Sequence, residues 1–294
     1  MGWRIIEIEN SDNINLFLGN LVTTVNNEKV TISIKDIDVL LINNYKTKIS
    51  IQLLNELANN NVLTIICDNK YLPNSICLPI IGNYNTFKIF EQQLNWNHTF
   101  KSNLWKNIIV QKIENQANVI LKLKNNFQGF SEIMEFSLQV KDYDITNREG
   151  HASKVYWHNL FGINFKRHND DYVNSLLNYG YTILRGYFTR SIIKKGLDPR
   201  ISLFHKSFHN YFALSSDLME VFRCIVDVSI FGILKETENN FYNDKQKIIE
   251  SFNKTIKYNG KEFFINVAID KFIDHIVNQE EFPELNFDTI YECL

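Results

Sequence analysis

The stretch NINLFLGNLVTTVNNEKVTISIK, residues 13–35, decides how the chain begins to fold. From Lys29 to Lys35 apolar and polar residues alternate, with Val30, Ile32 and Ile34 on one side and Thr31 and Ser33 on the other. A period of two marks a strand with one buried face. Gly19-Asn20 and Asn26-Asn27 are residue types that tolerate positive φ, as two-residue hairpin loops require. Strands at about 14–18, 21–25 and 28–34 therefore form a meander. Working outward, Trp3–Glu9, Ile37–Ile42 and Val62–Cys67 read as further strands, and Ile49–Asn59 fits one helix. A small β-rich N-terminal domain over residues 1–75 is expected.

Beyond it the character changes. Pro73 and Pro79 flank an expected linker at 76–83, and proline does not recur until Pro199. Nothing in that interval removes a backbone donor or clashes with a preceding turn, so long helices are allowed. Leu104, Ile108, Ile109, Ile113, Ala117, Ile120 and Leu121 recur at helical spacing across 101–125. Val173, Leu176, Leu177, Gly180, Leu184, Phe188 and Ile192 do so across 172–195, with Lys194-Lys195 in the last turn and Gly196 past the end. Further helices are predicted near 84–97, 147–161, 216–234, 243–257 and 262–278. The expected architecture is α+β in two domains, a β-rich one followed by a larger all-α one at 84–294.

The chain has 294 residues, 45% of them hydrophobic, which is ample for a packed core and excludes a disordered protein. Cys67, Cys77, Cys224 and Cys293 are scattered without a C-x-x-C pair, so free thiols are expected in place of a disulfide frame or zinc cage. The opening MGWRIIEIENSD lacks the basic start and apolar run of a secretory leader, and no window is long enough to span a bilayer. A soluble cytoplasmic protein is the expectation. The net charge of −2 gives no hint of nucleic acid, but its distribution does. Residues 148–210 carry ten Lys/Arg against four Asp/Glu, and residues 211–294 carry eight against fifteen. A basic middle segment is either a footprint for phosphate or an ordinary solvated face.

Three local patterns could carry chemistry. In Asn147-Arg148-Glu149-Gly150-His151-Ala152-Ser153-Lys154 a carboxylate sits in the first turn of a helix among small residues that leave room for a metal or a phosphate. The bland alternative is a capping box, Thr146-x-x-Glu149, whose Glu only satisfies a backbone donor. Gly196-Leu197-Asp198-Pro199 leads through a turn to His205 in apolar company, where a structural histidine is the competing reading. In Asp217-Leu218-Met219-Glu220-Val221-Phe222-Arg223, Asp217, Glu220, Cys224 and Asp227 share one helical face, and a cap again accounts for one acid. Two carboxylates and an imidazole suit Mg²⁺ or Mn²⁺ better than zinc. A hard cation beside a basic surface is what phosphodiester chemistry needs.

At these segments the chain resembles the CRISPR-associated integrase family, the "Cas-one" subunit of the spacer-acquisition complex, in its type II form. The motifs that carry the resemblance are Glu149-Gly150-x-Ala152-Ser153-x-x-Tyr156-Trp157, Leu177-Asn178-Tyr179-Gly180-Tyr181, Gly196-x-Asp198-Pro199 through His205, and Asp217-Leu218-x-Glu220-x-Phe222-Arg223. The resemblance implies a metal triad of Glu149, His205 and Glu220, with Asp217 behind it. Glu220 stands where many relatives carry Asp, and Cys224 where a proline often follows the Phe-Arg pair. The implied reaction is a transesterification joining the 3′-hydroxyl of a short DNA fragment to the CRISPR repeat. The implied partners are double-stranded DNA, a second copy bound through the N-terminal domain, and a dimer of the small "Cas-two" protein in a four-plus-two complex. The type II setting adds a ring-forming accessory protein and the effector nuclease. Lys154, Arg185, Arg190, Arg200, Lys206 and Arg223 become candidate phosphate contacts. Two other readings share the fold: a non-catalytic DNA-binding scaffold, and a metal-dependent nuclease that hydrolyses without joining.

Overall fold

A computed structural model describes residues 4–25, 28–69, 72–80, 83–205, 210–236 and 240–291. The chain runs β1 (Arg4–Ile8), β2 (Asn13–Phe17), β3 (Asn20–Val25), β4 (Glu28–Ser33), β5 (Ile37–Ile42), β6 (Lys48–Ile49), α1 (Ile51–Asn59), β7 (Leu63–Cys67) and β8 (Pro73–Cys77). There follow α2 (Thr86–Leu94), α3 (His98–Lys124), α4 (Phe127–Leu138), α5 (Arg148–Phe161), α6 (Tyr172–Lys194), α7 (Ala213–Leu218), α8 (Arg223–Ile233) and α9 (Phe241–Ser251). The described chain closes with β9 (Thr255–Tyr258), β10 (Lys261–Phe264), α10 (Ile265–Asn278) and β11 (Leu285–Asn286). A β-rich N-terminal part thus precedes a mostly helical one.

The N-terminal strands fall into two sheets. The meander β4-β3-β2 is antiparallel, with β6 added in parallel to β2. Phe17 pairs with Asn20, so the hairpin loop is Leu18-Gly19, one residue earlier than the composition indicated, with both residues at positive φ (46° and 72°). The Asn26-Asn27 connector and Trp3 lie outside the described residues. The second sheet runs β1-β5-β7-β8, parallel except for β8 at its edge. All six residues of β5 are buried, because this sheet is a wall between two cores. Ile37, Leu40 and Ile42 face the meander and α1, whereas Val39, Leu41, Leu63 and Ile65 join the helices.

The linker expected at 76–83 begins inside β8, since Pro73 opens that edge strand opposite Cys67. A proline is tolerated there because an edge strand's first residue need not donate to a neighbour. In the helical part, α6 is central. Its Gly186 faces the Leu63 side chain of β7, and a Cβ on Gly180 would stand only 2.4 Å from Val226 of α8. Past its end the amides of Gly196 and Leu197 return to the carbonyls of Ile193 and Ile192, with Gly196 at φ 88°, as the Gly-Leu pair after two lysines predicts.

Three helix predictions need correction. The stretch 216–234 is broken by a 3₁₀ turn at Met219–Phe222 between α7 and α8. The C-terminal part is not all helix: residues 255–264 form the hairpin β9–β10, which pairs with β11. Its turn is Asn259-Gly260, both at positive φ. A helix, α4, also lies where none was expected, its first turn capped by Asn126 on the Gly129 amide. Cys67, Cys77 and Cys224 are free thiols, and Cys293 lies outside the described residues. Among the described residues no helix is long and apolar enough to cross a membrane.

On β1, burial first and the nearby charge of Glu9 second push the Glu7 carboxyl up to about 7. The folded chain therefore holds this proton better than the unfolded chain. The associated stability is fully present below about 4.5 and lost as pH rises through about 7. Denaturant titrations should show stability falling by on the order of 1 kcal/mol from about pH 5 to about pH 8, after allowance for partial exposure. Glu7→Gln should flatten that slope. Identical slopes in the two proteins would contradict the assignment.

Candidate functional site

Helix α3 is the spine of the site. Counting from Trp105, residues 108, 112, 115 and 116 follow at helical spacing on its buried face. Lys112, only 5% exposed, interrupts the apolar run there. Its Nζ forms an ion pair with Glu149 and lies 2.6 Å from Glu220 Oε2, joining carboxylates from two distant segments. Asn115 Nδ2 donates to the Val221 carbonyl (2.8 Å), which fixes the 3₁₀ turn that carries Glu220.

Glu149 lies in the first turn of α5, as the sequence indicated, but not as a cap. Asp144 takes that part, its two oxygens accepting from the amides of Arg148 (2.8 Å) and Glu149 (2.9 Å). The capping box with Thr146 is thereby excluded, and the Glu149 side chain is left for Lys112. Lys112 holds the Glu149 carboxyl below the ordinary carboxylate range, against the opposing effect of burial. Burial works to lower the Lys112 pKa, yet the charges of Glu149 and Glu220 outweigh it and raise it. Glu220 is buried, and its second oxygen pairs with Arg223 Nη2 at 2.9 Å. Two acids and two bases thus share one half-closed centre.

His205 follows a loop that Asp217 organises from beneath. Asp217 is fully buried; Oδ2 accepts from the amides of Leu203 (2.8 Å) and Phe204 (3.0 Å), and Oδ1 lies 2.5 Å from His205 Nδ1. Phe204 stacks on Trp105 with ring centroids 4.7 Å apart, and His205 meets the same indole edge-on at 5.5 Å. The hydrogen bond to Asp217 raises the His205 pKa against burial, and the charges of Glu149 and Glu220 add to it. His205 therefore stands within electrostatic reach of both glutamates. Among the described residues no hydrogen bond or ion pair joins it to either, and no three acidic, His or Cys side chains gather as closely as a bound metal would hold them. The centre between Glu149 and Glu220 belongs to Lys112.

The remaining sequence candidates separate by environment. Arg190 is a correction: it is 3% exposed and its Nη1 bonds Asp38 Oδ1 (2.8 Å) and the Asp38 carbonyl (2.9 Å), so it cannot meet DNA at the surface. Arg200 is exposed but chelated by Asp198, while Arg185 is half-buried over the Phe212 ring. Arg223 belongs to the site itself, its guanidinium lying over Tyr181. Lys154 is exposed on α5, and Lys206 lies outside the described residues. Asp227, the third acid of the expected stripe, is buried and accepts hydrogen bonds from Tyr156 (2.8 Å) and Tyr181; burial pushes it up to about 6. Lys112 is the residue that sequence reading missed. Its signal was a charged side chain, followed by Asn115 and Gln116, inside an otherwise apolar helical stripe.

Residues 8–266 match the family model of the CRISPR associated protein Cas1. The CRISPR-associated endonuclease Cas1 of Neisseria meningitidis serogroup C (strain 8013) is 32% identical over 276 residues, which covers 93% of this chain and 90% of that one. Among solved structures, a casposase bound to its integration product superposes with a TM-score of 0.73 at 20% identity, covering 99% of this chain and 94% of the other. A Cas1 protein from Thermotoga maritima superposes at 0.72 and 12% identity, covering 95% and 98%. The fold is shared along nearly the whole length, and the sequence match spans both the β-rich part and the segments that carry Glu149, His205 and Glu220. The chain belongs to the Cas1 family of CRISPR-associated proteins.

Proposed function

We propose that this Cas1-family chain is a metal-dependent DNA integrase that joins the 3′-hydroxyl ends of short DNA fragments to a CRISPR repeat. The observation that carries the reading is the convergence of Glu149 and Glu220, from separate elements, on one cationic atom beside a histidine oriented by a buried aspartate. Two carboxylates that share an ammonium form a centre whose charge calls for a cation. With His205 Nδ1 engaged by Asp217, Nε2 is the nitrogen left to a ligand, the arrangement usual where a carboxylate orients a metal-binding imidazole. Oxygen donors with one nitrogen fit Mg²⁺ or Mn²⁺, held by Glu149, His205 and Glu220. Such an ion, when bound, would polarise the phosphoryl oxygen and lower the pKa of the attacking hydroxyl.

The protein's own part is placement. Arg223 sets positive charge beside the reacting phosphodiester, and Lys154, Arg185 and Arg200 are proposed to hold flanking phosphates. In the joining step the fragment's 3′-oxygen bonds to phosphorus while the bond from phosphorus to the repeat's own 3′-oxygen breaks, so one phosphodiester replaces another. The casposase held with its integration product supports joining, and the name of the Neisseria relative, an endonuclease, supports phosphodiester cleavage. Partners proposed are double-stranded DNA and a Cas2 dimer, supported by the Cas6-RT-Cas1–Cas2 complex among the structural neighbours (TM-score 0.70). Self-association through the N-terminal part is proposed as well, supported by the exposed Phe17 and Leu18 of the meander.

The test combines the protein, its small partner, Mn²⁺, a 3′-hydroxyl duplex and a repeat-bearing plasmid. Covalent joining of duplex to plasmid is expected. Nicking without joining would replace the integrase reading with the nuclease, and an inert mixture would replace it with the scaffold.

A further inference from the structure

Lys112 is not accounted for by an acid–His–acid centre. Its ammonium is buried, touches both glutamates and occupies the position a bound cation would claim. An ammonium and a divalent ion cannot share that position, because like charges a few ångströms apart in a poorly solvated site repel strongly. With neither, Arg223 alone would be left to offset the two facing carboxylates, and close acids resist ionising together.

The side chain has somewhere else to go. A cavity of about 60 Å³ adjoins it, with the acceptors Gln116 and Asp227 in its wall together with Tyr181, Arg167 and Arg223. Gln116 is 5% exposed and its Oε1 has no hydrogen-bond partner among the described residues, an unusual state for a buried carbonyl oxygen. It stands four residues after Lys112 on α3, one helical turn away, where a long side chain reaches by rotation about its own bonds.

We propose that Lys112 is the resident counter-ion of the Glu149–Glu220 pair, that a divalent cation enters by displacing its ammonium, and that the displaced ammonium takes the Gln116 carbonyl as its new acceptor in the adjoining cavity. The exchange rests on the metal-site reading above. It makes cation affinity a property of α3 as well as of the ligands. Lys112 acts as a competitor that sets how much free cation is needed, and Gln116 stabilises the occupied state.

Mn²⁺ binding to the full chain, followed by electron paramagnetic resonance without DNA, separates the possibilities. Lys112→Gln should bind Mn²⁺ roughly tenfold more tightly than the unaltered protein, since the competing charge is gone. It should also unfold at a lower temperature without metal and gain more from Mn²⁺. Gln116→Leu should bind severalfold more weakly, because the displaced ammonium loses its acceptor. Gln116→Leu removes only an unsatisfied buried group, so it carries the test alone if Lys112→Gln fails to fold. Unchanged Mn²⁺ affinity in these variants, alongside binding that Glu149→Gln abolishes, would overturn the exchange and leave the metal site standing. Failure of the unaltered protein and of Lys112→Gln alike to bind Mn²⁺ would overturn both.

Discussion

Glu149→Gln and Glu220→Gln should each lower joining by at least about 10³-fold, and His205→Ala should do the same. The amide keeps the shape of each side chain but removes the charge that defines the centre. The two glutamates should differ in stability. Glu220 is buried and holds both Lys112 and Arg223, so its neutralisation leaves two cations short of an anion in a poorly solvated place. A cost of about 3 kcal/mol is expected for Glu220→Gln, as for one half of a buried ion pair. Glu149 is partly open to solvent and holds Lys112 alone among the described residues, so its loss should cost less than about 1.5 kcal/mol. His205→Ala should cost about 1–3 kcal/mol, because it strips the fully buried Asp217 Oδ1 of its partner. Joining assays beside urea titrations make the check. A variant that keeps near-normal joining removes its residue from the site, and equal stability costs for the two glutamates would contradict the charge network described.

The second large effect concerns the wall between the two cores. Arg190→Met should destabilise the fold by about 3–5 kcal/mol, because Asp38 would then lie buried in β5 without its cation. The arginine reaches from α6 to both the side chain and the carbonyl of Asp38 and lies 5.1 Å from the Tyr187 ring centroid, so it ties the parallel sheet to the central helix. Pairing the change with Asp38→Leu should recover much of the loss, since an apolar pair of similar volume replaces a buried ion pair at little net cost. Denaturant midpoints of the two single variants and the double variant give the coupling directly. A single-variant cost below about 1 kcal/mol would mean that water reaches Asp38.

Local pattern made part of this molecule legible. The two-residue alternation of 29–35 and the helical stripes of 101–125 and 172–195 are short-range properties, set by which side chains share a face, and they became β4, α3 and α6. The Asn259-Gly260 turn was as local as these, yet the flanking residues also fit helices, and the hairpin was hidden by that ambiguity. The motifs around Glu149, His205 and Glu220 identified a family, because spaced residue types survive as text.

By itself the sequence determined the N-terminal strands, α3 and α6 and the family they belong to, and it singled out three side chains as candidates for a shared centre. The tertiary structure alone decided what those side chains meet. Lys112 comes to Glu149 from 37 residues away and to Glu220 across all of α4, α5 and α6 in the sequence, while Asp217 turns His205 and Asp38 removes Arg190 from the surface. Such pairings are chosen by burial, since a charge taken out of water must find its opposite wherever the fold supplies one, and distance along the chain carries no record of that choice.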